Sequence, residues 1–218
     1  DVNSLVEKEG FPLIVKPRVG DSSKNTFVVH SREELNEKLK ILLDEAEKNP
    51  FIDIKVDPII QKYIGVIDEE YTSTALVIDG KCRNIVSMKR EMKFGGHTTK
   101  AVIKDYPEIN EFLIEVADKL NPLGQCNFQS RVVNRIPYIF EINCRFSGTT
   151  PFCAQAGFNI VEAIIRHYLL HEKIQNIVVN KGVFMRYFNE VFIPQEDIKK
   201  IEEQGHIDQP FSKTDTSL

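Results

Sequence analysis

Apolar residues along this chain fall in short runs between polar, turn-forming stretches, and the period of each run predicts its element. Phe11 to Pro17 is a compact apolar run with a basic residue near its end and reads as a buried strand. RVGDSSKN follows as a loop, and Phe27 to His30 reads as a short strand. Ser31 ahead of Glu33 and Glu34 is an N-cap with an acidic first turn, which predicts a helix to about Lys48, ended by Asn49-Pro50. Ile59 to Ile64 and Tyr71 to Ile78 read as strands. Asp79-Gly80 is a hairpin turn signal, with the return strand over Cys82 to Arg90. FGGHTTKA, with paired glycines, is expected to be a flexible loop.

Pro107 to Leu120 has helical period, with Ile109, Phe112, Leu113, Val116 and Leu120 along one side. Cys126 to Val133 and Tyr138 to Asn143 are strands joined by the turn Asn134-Arg135-Ile136-Pro137. Ser147 to Gly157 reads as a loop leading into a helix over Asn159 to Leu170, whose apolar stripe is core packing. A late strand is expected over Val183 to Phe192, a short amphipathic helix over Gln195 to Gln204, and a disordered tail, QPFSKTDTSL. The pattern predicts an α+β fold with mostly antiparallel strands in two lobes.

Composition narrows the function classes. Hydrophobic residues make up 42% and charged residues 28% of the 218 positions, as in an ordinary globular protein. The net charge of −4, from 28 basic and 32 acidic side chains, does not support a broad basic surface for nucleic acid. No signal peptide or membrane span is visible, so a cytoplasmic protein without a membrane partner is expected. Four cysteines (Cys82, Cys126, Cys144, Cys153) lack CxxC spacing, which argues against zinc and for free thiols. The chain opens on Asp1 and runs almost at once into a strand, as a piece of a longer protein would.

The chemistry concentrates in QCNFQSRVV and PYIFEINCRFSG. Residues two apart on a strand share a face, so Glu141, Asn143 and Arg145 present a carboxylate, a carboxamide and a guanidinium together. Gln129 adds a second carboxamide from a paired strand, and Arg131 follows it on the same face as a candidate acceptor-side anion contact. Oxygen ligands of this kind suit hard divalent cations that also hold phosphates. The arginine suits an oxyanion. The other histidines (His30, His167, His171, His206) have no partner at useful spacing.

This arrangement resembles the ATP-grasp superfamily of carboxylate ligases, in particular the synthetase halves of the carbamoyl phosphate synthetase large subunit and their stand-alone relatives. The likeness covers about residues 9 to 172 and is most specific at EINCRFSG preceded by Gln129. It implies two α+β lobes with antiparallel sheets clamping ATP between them. The small lobe would span residues 1–64 and the large lobe 65–193, with a C-terminal helix and tail over 194–218 and a missing N-terminal domain or separate subunit. By the same resemblance, Gln129, Glu141 and Asn143 would hold two magnesium ions, with manganese able to substitute, and Arg145 would hold the acyl-phosphate or its carboxylate precursor. Lys16, in IVKP, would reach the α- and β-phosphates. The loop with Ser22, Ser23 and Lys24 would cover the phosphates, though it carries only Gly20 where family loops are richer in glycine. Gln61, Lys62, Tyr63 and Ile64 would frame adenine, and Glu70 would take the ribose, with Glu69 its nearest competitor. Gly96, His97 and Thr98 match a run that approaches the terminal phosphate, and Arg90 lies just upstream, facing the substrate.

The resemblance therefore implies an ATP-dependent ligase that joins a small carboxylate to an amine or ammonia. A non-catalytic nucleotide-binding module or regulatory half is the alternative, and a phosphotransferase on a related fold is a third reading. A homodimer is compatible with all of them.

Overall fold

The computed structural model describes residues 2–18, 23–47, 58–66, 69–93, 97–175, 177–187 and 192–205. The chain divides into two units, residues 1–185 and 186–218. The second contains a helix, α6 (Gln195–Gln204), closed by Gly205 in the left-handed conformation. Everything else described below belongs to the first.

A three-stranded antiparallel sheet, in the order β2-β1-β3, is built from β1 (Leu13–Pro17), β2 (Phe27–Val29) and β3 (Pro58–Lys62). It packs with α1 (Val2–Glu9) and α2 (Arg32–Glu47) around Leu13, Val15, Val29, Leu35 and Leu42. Ser31 caps α2 as the sequence predicts: its Oγ accepts from the Glu34 amide at 3.2 Å, and Glu34 reaches back to the His30 amide at 2.7 Å. Helix α1 was not expected. Its signal was Val2, Leu5 and Val6, a helical spacing that the core of this sheet uses.

A six-stranded sheet follows, with the order β8-β7-β4-β5-β6-β9 and antiparallel pairing throughout. Its strands are β4 (Glu70–Ile78), β5 (Lys81–Lys93), β6 (His97–Ile103), β7 (Gly124–Val133), β8 (Ile136–Asn143) and β9 (Gly182–Met185). Two tight turns set its register. Asp79 and Gly80 have φ of 52° and 73°, and Asn134 and Arg135 have φ of 52° and 67°, so each is a two-residue hairpin turn with both φ positive. Ile136 and Pro137 therefore belong to β8 rather than to the turn. Pro137 is tolerated because β8 is an edge strand.

One face of this sheet carries Tyr71, Ala75, Val77, Cys126 and Phe128 against α3 (Pro107–Leu120). The buried side of α3 is Ile109, Leu113 and Ala117, while Phe112 and Leu120 are exposed, so the helix is turned from the predicted face. The opposite face carries Leu76, Ile78, Val86, Met88, Ala101 and Ile103 against α4 (Thr150–Gln155) and α5 (Ile160–Leu170). Asn159 caps α5 by accepting from the Glu162 amide at 3.2 Å. Covered on both sides, β4 is buried along its whole length.

Three expectations are corrected here. His97 to Ile103 is a strand and not a flexible loop, because Ala101 and Ile103 supply apolar positions two apart to the core. The segment between Ser147 and Gly157 contains α4, whose Phe152 and Cys153 are buried. Among the described residues the late strand is Gly182–Met185, and residues 188–191 of the expected strand lie outside them. Among the described residues no helix is long and apolar enough to cross a membrane. The tail from 206 onward, Asn49-Pro50 and the Phe94–Gly96 part of the expected loop lie outside the described residues.

Two predictions follow from the packing. Gly157 has φ of +98°, and a Cβ there would stand 2.8 Å from the Val178 carbonyl oxygen. Gly157→Ala should therefore cost at least about 1–3 kcal/mol, measured by chemical denaturation. Burial raises the thiols of Cys82 and Cys153 to about 11 and that of Cys126 to about 12, whereas Cys144 is exposed. A thiol reagent at neutral pH should label Cys144 in the native protein and the other three only on unfolding, as read by mass spectrometry.

Candidate functional site

The α4/α5 face of the large sheet changes character along its strands. Beyond Leu76 and Met88 the same face becomes polar, because the residues at matching parity are Glu70 and Thr72 on β4, Arg90 on β5, and Asn127, Gln129 and Arg131 on β7. The register sets Thr72 opposite Gln129 and Glu70 opposite Arg131. On β8, Glu141 pairs with Gln129 and Asn143 with Asn127. A bulge after Gln129 leaves Phe140 without a register partner and sets this alignment.

Glu70 is 2% exposed and is held by two arginines. Arg90 donates through Nε at 3.0 Å and through Nη2 to Oε1, and Arg131 donates through Nε and Nη2 to Oε2 at 3.3 and 3.2 Å. A buried carboxylate persists only with such partners. Arg90 Nη2 also donates to Gln129 Oε1 at 2.8 Å. Gln129 Nε2 then donates to Glu141 Oε1 at 3.2 Å, and Asn143 Nδ2 donates to the same oxygen at 2.6 Å. Gln129, Glu141 and Asn143, grouped by strand alternation and by the family resemblance, thus converge on one carboxylate oxygen.

Chemically the set is one carboxylate and two carboxamides, an oxygen-bearing group that fits a hard divalent cation such as magnesium. Gln129 Oε1 has a second lone pair beyond the one that accepts from Arg90. Asn143 would present its oxygen after a half-turn of its amide. Among the described residues no three His, Cys, Asp or Glu side chains converge, so a cation here would depend on the carboxamides.

Other predicted residues are distributed around this core. Lys16, on β1, donates to the Phe140 carbonyl of β8 at 3.1 Å, which brings it over the large sheet. Arg145 lies just past β8, exposed, and donates to the Phe146 carbonyl. Arg131, expected as an acceptor-side anion contact, is engaged within the protein. It is committed to Glu70, donates to the Ile64 carbonyl at 3.2 Å and lies over the Tyr63 ring at 4.6 Å, so it marks the opposite end of the face from Arg145. Gln61 and Lys62 lie on β3, an edge strand, and are exposed; Lys62 pairs with Glu9 at 2.9 Å. Glu69 is engaged by Lys89 at 2.6 Å and by the Tyr71 hydroxyl at 3.3 Å.

His97 is exposed and faces Lys93 in the register, whereas Thr98 is buried and pairs with Met92, two residues beyond Arg90 on β5. Ser23 has φ of 57° and Lys24 is exposed in the turn before β2. Gly20, Ser22 and Gly96 lie outside the described residues. Sequence reasoning missed Asn127. It is fully buried and donates to Thr72 Oγ1 at 2.9 Å and to the Ser73 carbonyl at 3.0 Å. Its signal was its place two residues before Gln129.

A cavity of about 270 Å³ continues this face beyond Asn143, with Gln125, Arg145 and Tyr168 in its lining. A larger groove of about 440 Å³ lies between α1 and β3, remote from these side chains and lined by Val2, Leu5, Lys8 and Ile60 among others.

Known proteins resemble this chain over much of its length. The carbamoyl phosphate synthase large chain of Saccharolobus islandicus (strain L.S.2.15 / Lassen #1) is 25% identical over 177 residues, 76% of this chain and 16% of its own length. The D-alanine--D-alanine ligase of Bacillus anthracis (strain CDC 684 / NRRL 3495) is 29% identical over 195 residues, 83% of this chain and 57% of its own. The chain thus spans less than two thirds of either relative. Among solved structures, the biotin carboxylase domain of the Hydrogenobacter thermophilus 2-oxoglutarate carboxylase, in complex with MgADP, ADP and bicarbonate, superposes with a TM-score of 0.60 at 19% identity. The match covers 76% of this chain and 39% of that one, and at this identity it establishes a shared fold. Residues 58–191 match the family model described as ATP-grasp in the biosynthetic pathway with Ter operon, and the chain belongs to that ATP-grasp family.

Proposed function

We propose that this chain is the ATP- and magnesium-dependent part of a ligase that joins a small carboxylate to an amine or ammonia. The observation that carries the reading is the convergence of Gln129 and Asn143 on Glu141, with Lys16 of the small sheet reaching Phe140 on the strand that bears Glu141. Membership of the ATP-grasp family supports it, as does the similarity to a D-alanine--D-alanine ligase. Residues 1–64 and 65–193 are proposed as the two lobes of the nucleotide cleft.

In this reading each residue has a definable task. β3 is an edge strand, so part of its backbone around Gln61 and Lys62 is open to the hydrogen-bonding edge of adenine. Lys16, Ser22 and Ser23 would hold phosphate oxygens. Arg145 would hold the carboxylate. A carboxylate oxygen attacks the terminal phosphorus, the bond to the departing ADP oxygen breaks, and an acyl-phosphate forms. The amine then attacks the acyl carbon, releasing phosphate and a proton. Such transfer needs alignment and charge neutralisation more than covalent help from the protein. Glu141, Asn143 and Gln129 would hold magnesium, which would supply charge neutralisation at the phosphates. His97 would approach the terminal phosphate only from an exposed position.

The alternative reading is a nucleotide-binding module without turnover. Both oxygens of Glu70 are taken by Arg90 and Arg131, so contact with a ribose would require an arginine to give way. ATP turnover separates the two readings.

Mg-ATP at about 100-fold its dissociation constant should add about 2.7 kcal/mol of stability, roughly 5–10 °C in thermal unfolding. Glu141→Gln should keep the fold, lose most of that shift and abolish carboxylate-dependent ADP release. Full activity in this variant would remove Glu141 from the mechanism. Glu70→Ala leaves two arginines without their buried partner and should cost roughly 3–5 kcal/mol by urea denaturation. A cost below about 1 kcal/mol would show that the clamp contributes little.

A further inference from the structure

The α3 face of β7 and β8 carries a pair of thiols that nucleotide chemistry does not use. Cys126 lies on β7 in the core under α3 and is fully buried. Cys144 is exposed and stands one residue past the end of β8. The register sets Asn127 opposite Asn143, and one step further along the two chains sets Cys126 opposite Cys144. Opposite residues of an antiparallel pair have Cα atoms about 4.5–5.5 Å apart, inside the range of about 4.4–6.8 Å that a disulfide spans. The two side chains lie within hydrogen-bonding reach of each other, and both are free thiols. The other two cysteines lack this geometry. Cys82 is on β5, separated from β7 by β4, and two strand spacings set it about 9–10 Å or more from Cys126. Its thiol donates to the Asn84 carbonyl at 3.5 Å. Cys153 is on α4, on the other side of the sheet.

The asymmetry of the pair assigns the roles. An oxidant in solution reaches Cys144 and not Cys126, and an oxidised Cys144 has a second thiol already beside it. We propose that Cys126 and Cys144 are a reversible modification site, closed to a disulfide by hydroperoxides, and that closing it displaces the end of β8. The Cys144 sulfur attacks one oxygen of hydrogen peroxide, the O–O bond breaks, and a sulfenic acid and one water result. The Cys126 sulfur then attacks the Cys144 sulfur, the S–O bond breaks, and the Cys126 proton leaves with the hydroxyl as a second water. Two thiols lose two electrons and the peroxide gains them. Closure brings the sulfurs from hydrogen-bonding distance to about 2.05 Å. Cys126 is fixed in a packed core, so the movement falls on Cys144 and its neighbours. Asn143 is drawn from Glu141 Oε1, and the Arg145 carbonyl from Gln125 Nε2. The disulfide stands on this geometry alone, whereas its effect on magnesium and nucleotide rests on the ligase reading above.

Treatment of the native chain with hydrogen peroxide, then alkylation and non-reducing tryptic mass spectrometry, tests the proposal. Cleavage after Arg131 and Arg135 leaves the two cysteines in separate peptides, residues 120–131 and 136–145. These peptides should appear linked, with both thiols lost together and both regained on treatment with dithiothreitol. Cys126→Ala removes the second thiol and should instead carry Cys144 on to the sulfinic acid. Cys144→Ser, a change at an exposed position, should leave Cys126 reduced. Wild-type Cys144 oxidised to the sulfinic acid with Cys126 still a thiol would overturn the pair, and so would a link to Cys82 or between two chains. Oxidation of Cys126 in the Cys144→Ser variant would overturn the assigned roles. In the linked chain the Mg-ATP thermal shift should fall by at least half and return on reduction. An unchanged shift would overturn the displacement of β8. Absence of any shift in the reduced chain would overturn the ligase reading and its regulation together, while the linked peptides would still decide the disulfide.

Discussion

The clamp on Glu70 is the constraint around which the polar face is arranged. A carboxylate at the start of β4, buried under a sheet covered on both sides, is costly unless its oxygens are hydrogen-bonded. Arg90 from β5 and Arg131 from β7 fill them from either side. The three central strands are thereby joined at their polar end by charge-assisted hydrogen bonds, while at the apolar end of the same face β4 and β5 meet through Leu76, Ile78, Val86 and Met88. The same interaction orients the neighbouring groups. Arg90 extends to Gln129, Gln129 to Glu141, and Asn143 closes on Glu141. A chain of polar contacts thus crosses four strands, and displacement of one member is felt by the next.

Arg131 gives the clamp a second role. Its remaining nitrogen donates to the Ile64 carbonyl, and its plane covers Tyr63. The segment leaving β3 is therefore tied to the large sheet by the residue that neutralises Glu70. The small sheet has its own core around Leu13, Val15 and Leu35, distinct from the two cores of the large sheet. Besides Arg131, Lys16 connects the two sheets through the Phe140 carbonyl. Polar links of this sort are easier to exchange for a ligand than interdigitated apolar surface, which suits a cleft that must admit one.

Much of this was legible in the sequence. The hairpin at Asp79-Gly80, the Ser31 cap, the bounds of α3 and α6 and the shared face of Glu141 and Asn143 follow from local chemistry and strand alternation, whereas the pairing of Gln129 with Glu141 depends on the bulge after Gln129. These features depend on residues near in sequence or on a period of two, and neighbouring residues carry that information. β6 was misread because paired glycines outweighed Ala101 and Ile103, whose burial exists only once α4 and α5 cover the face. Helix α1 was missed because eight residues have little helical preference of their own, and its apolar side is defined by the small sheet it meets.

The sequence by itself determined the residue types of the site, their alternation and the family to which the chain belongs. Only the tertiary structure decided which charge answers which. Arg90 and Arg131 read equally well as substrate contacts until the order of β5, β4 and β7 brought them to either side of Glu70. Gln125 and Tyr168, 43 positions apart, became lining residues of one cavity only when α5 packed over β7. Side-chain pairing across a sheet depends on strand order and register, which are set by burial of the whole chain and not by any segment of it.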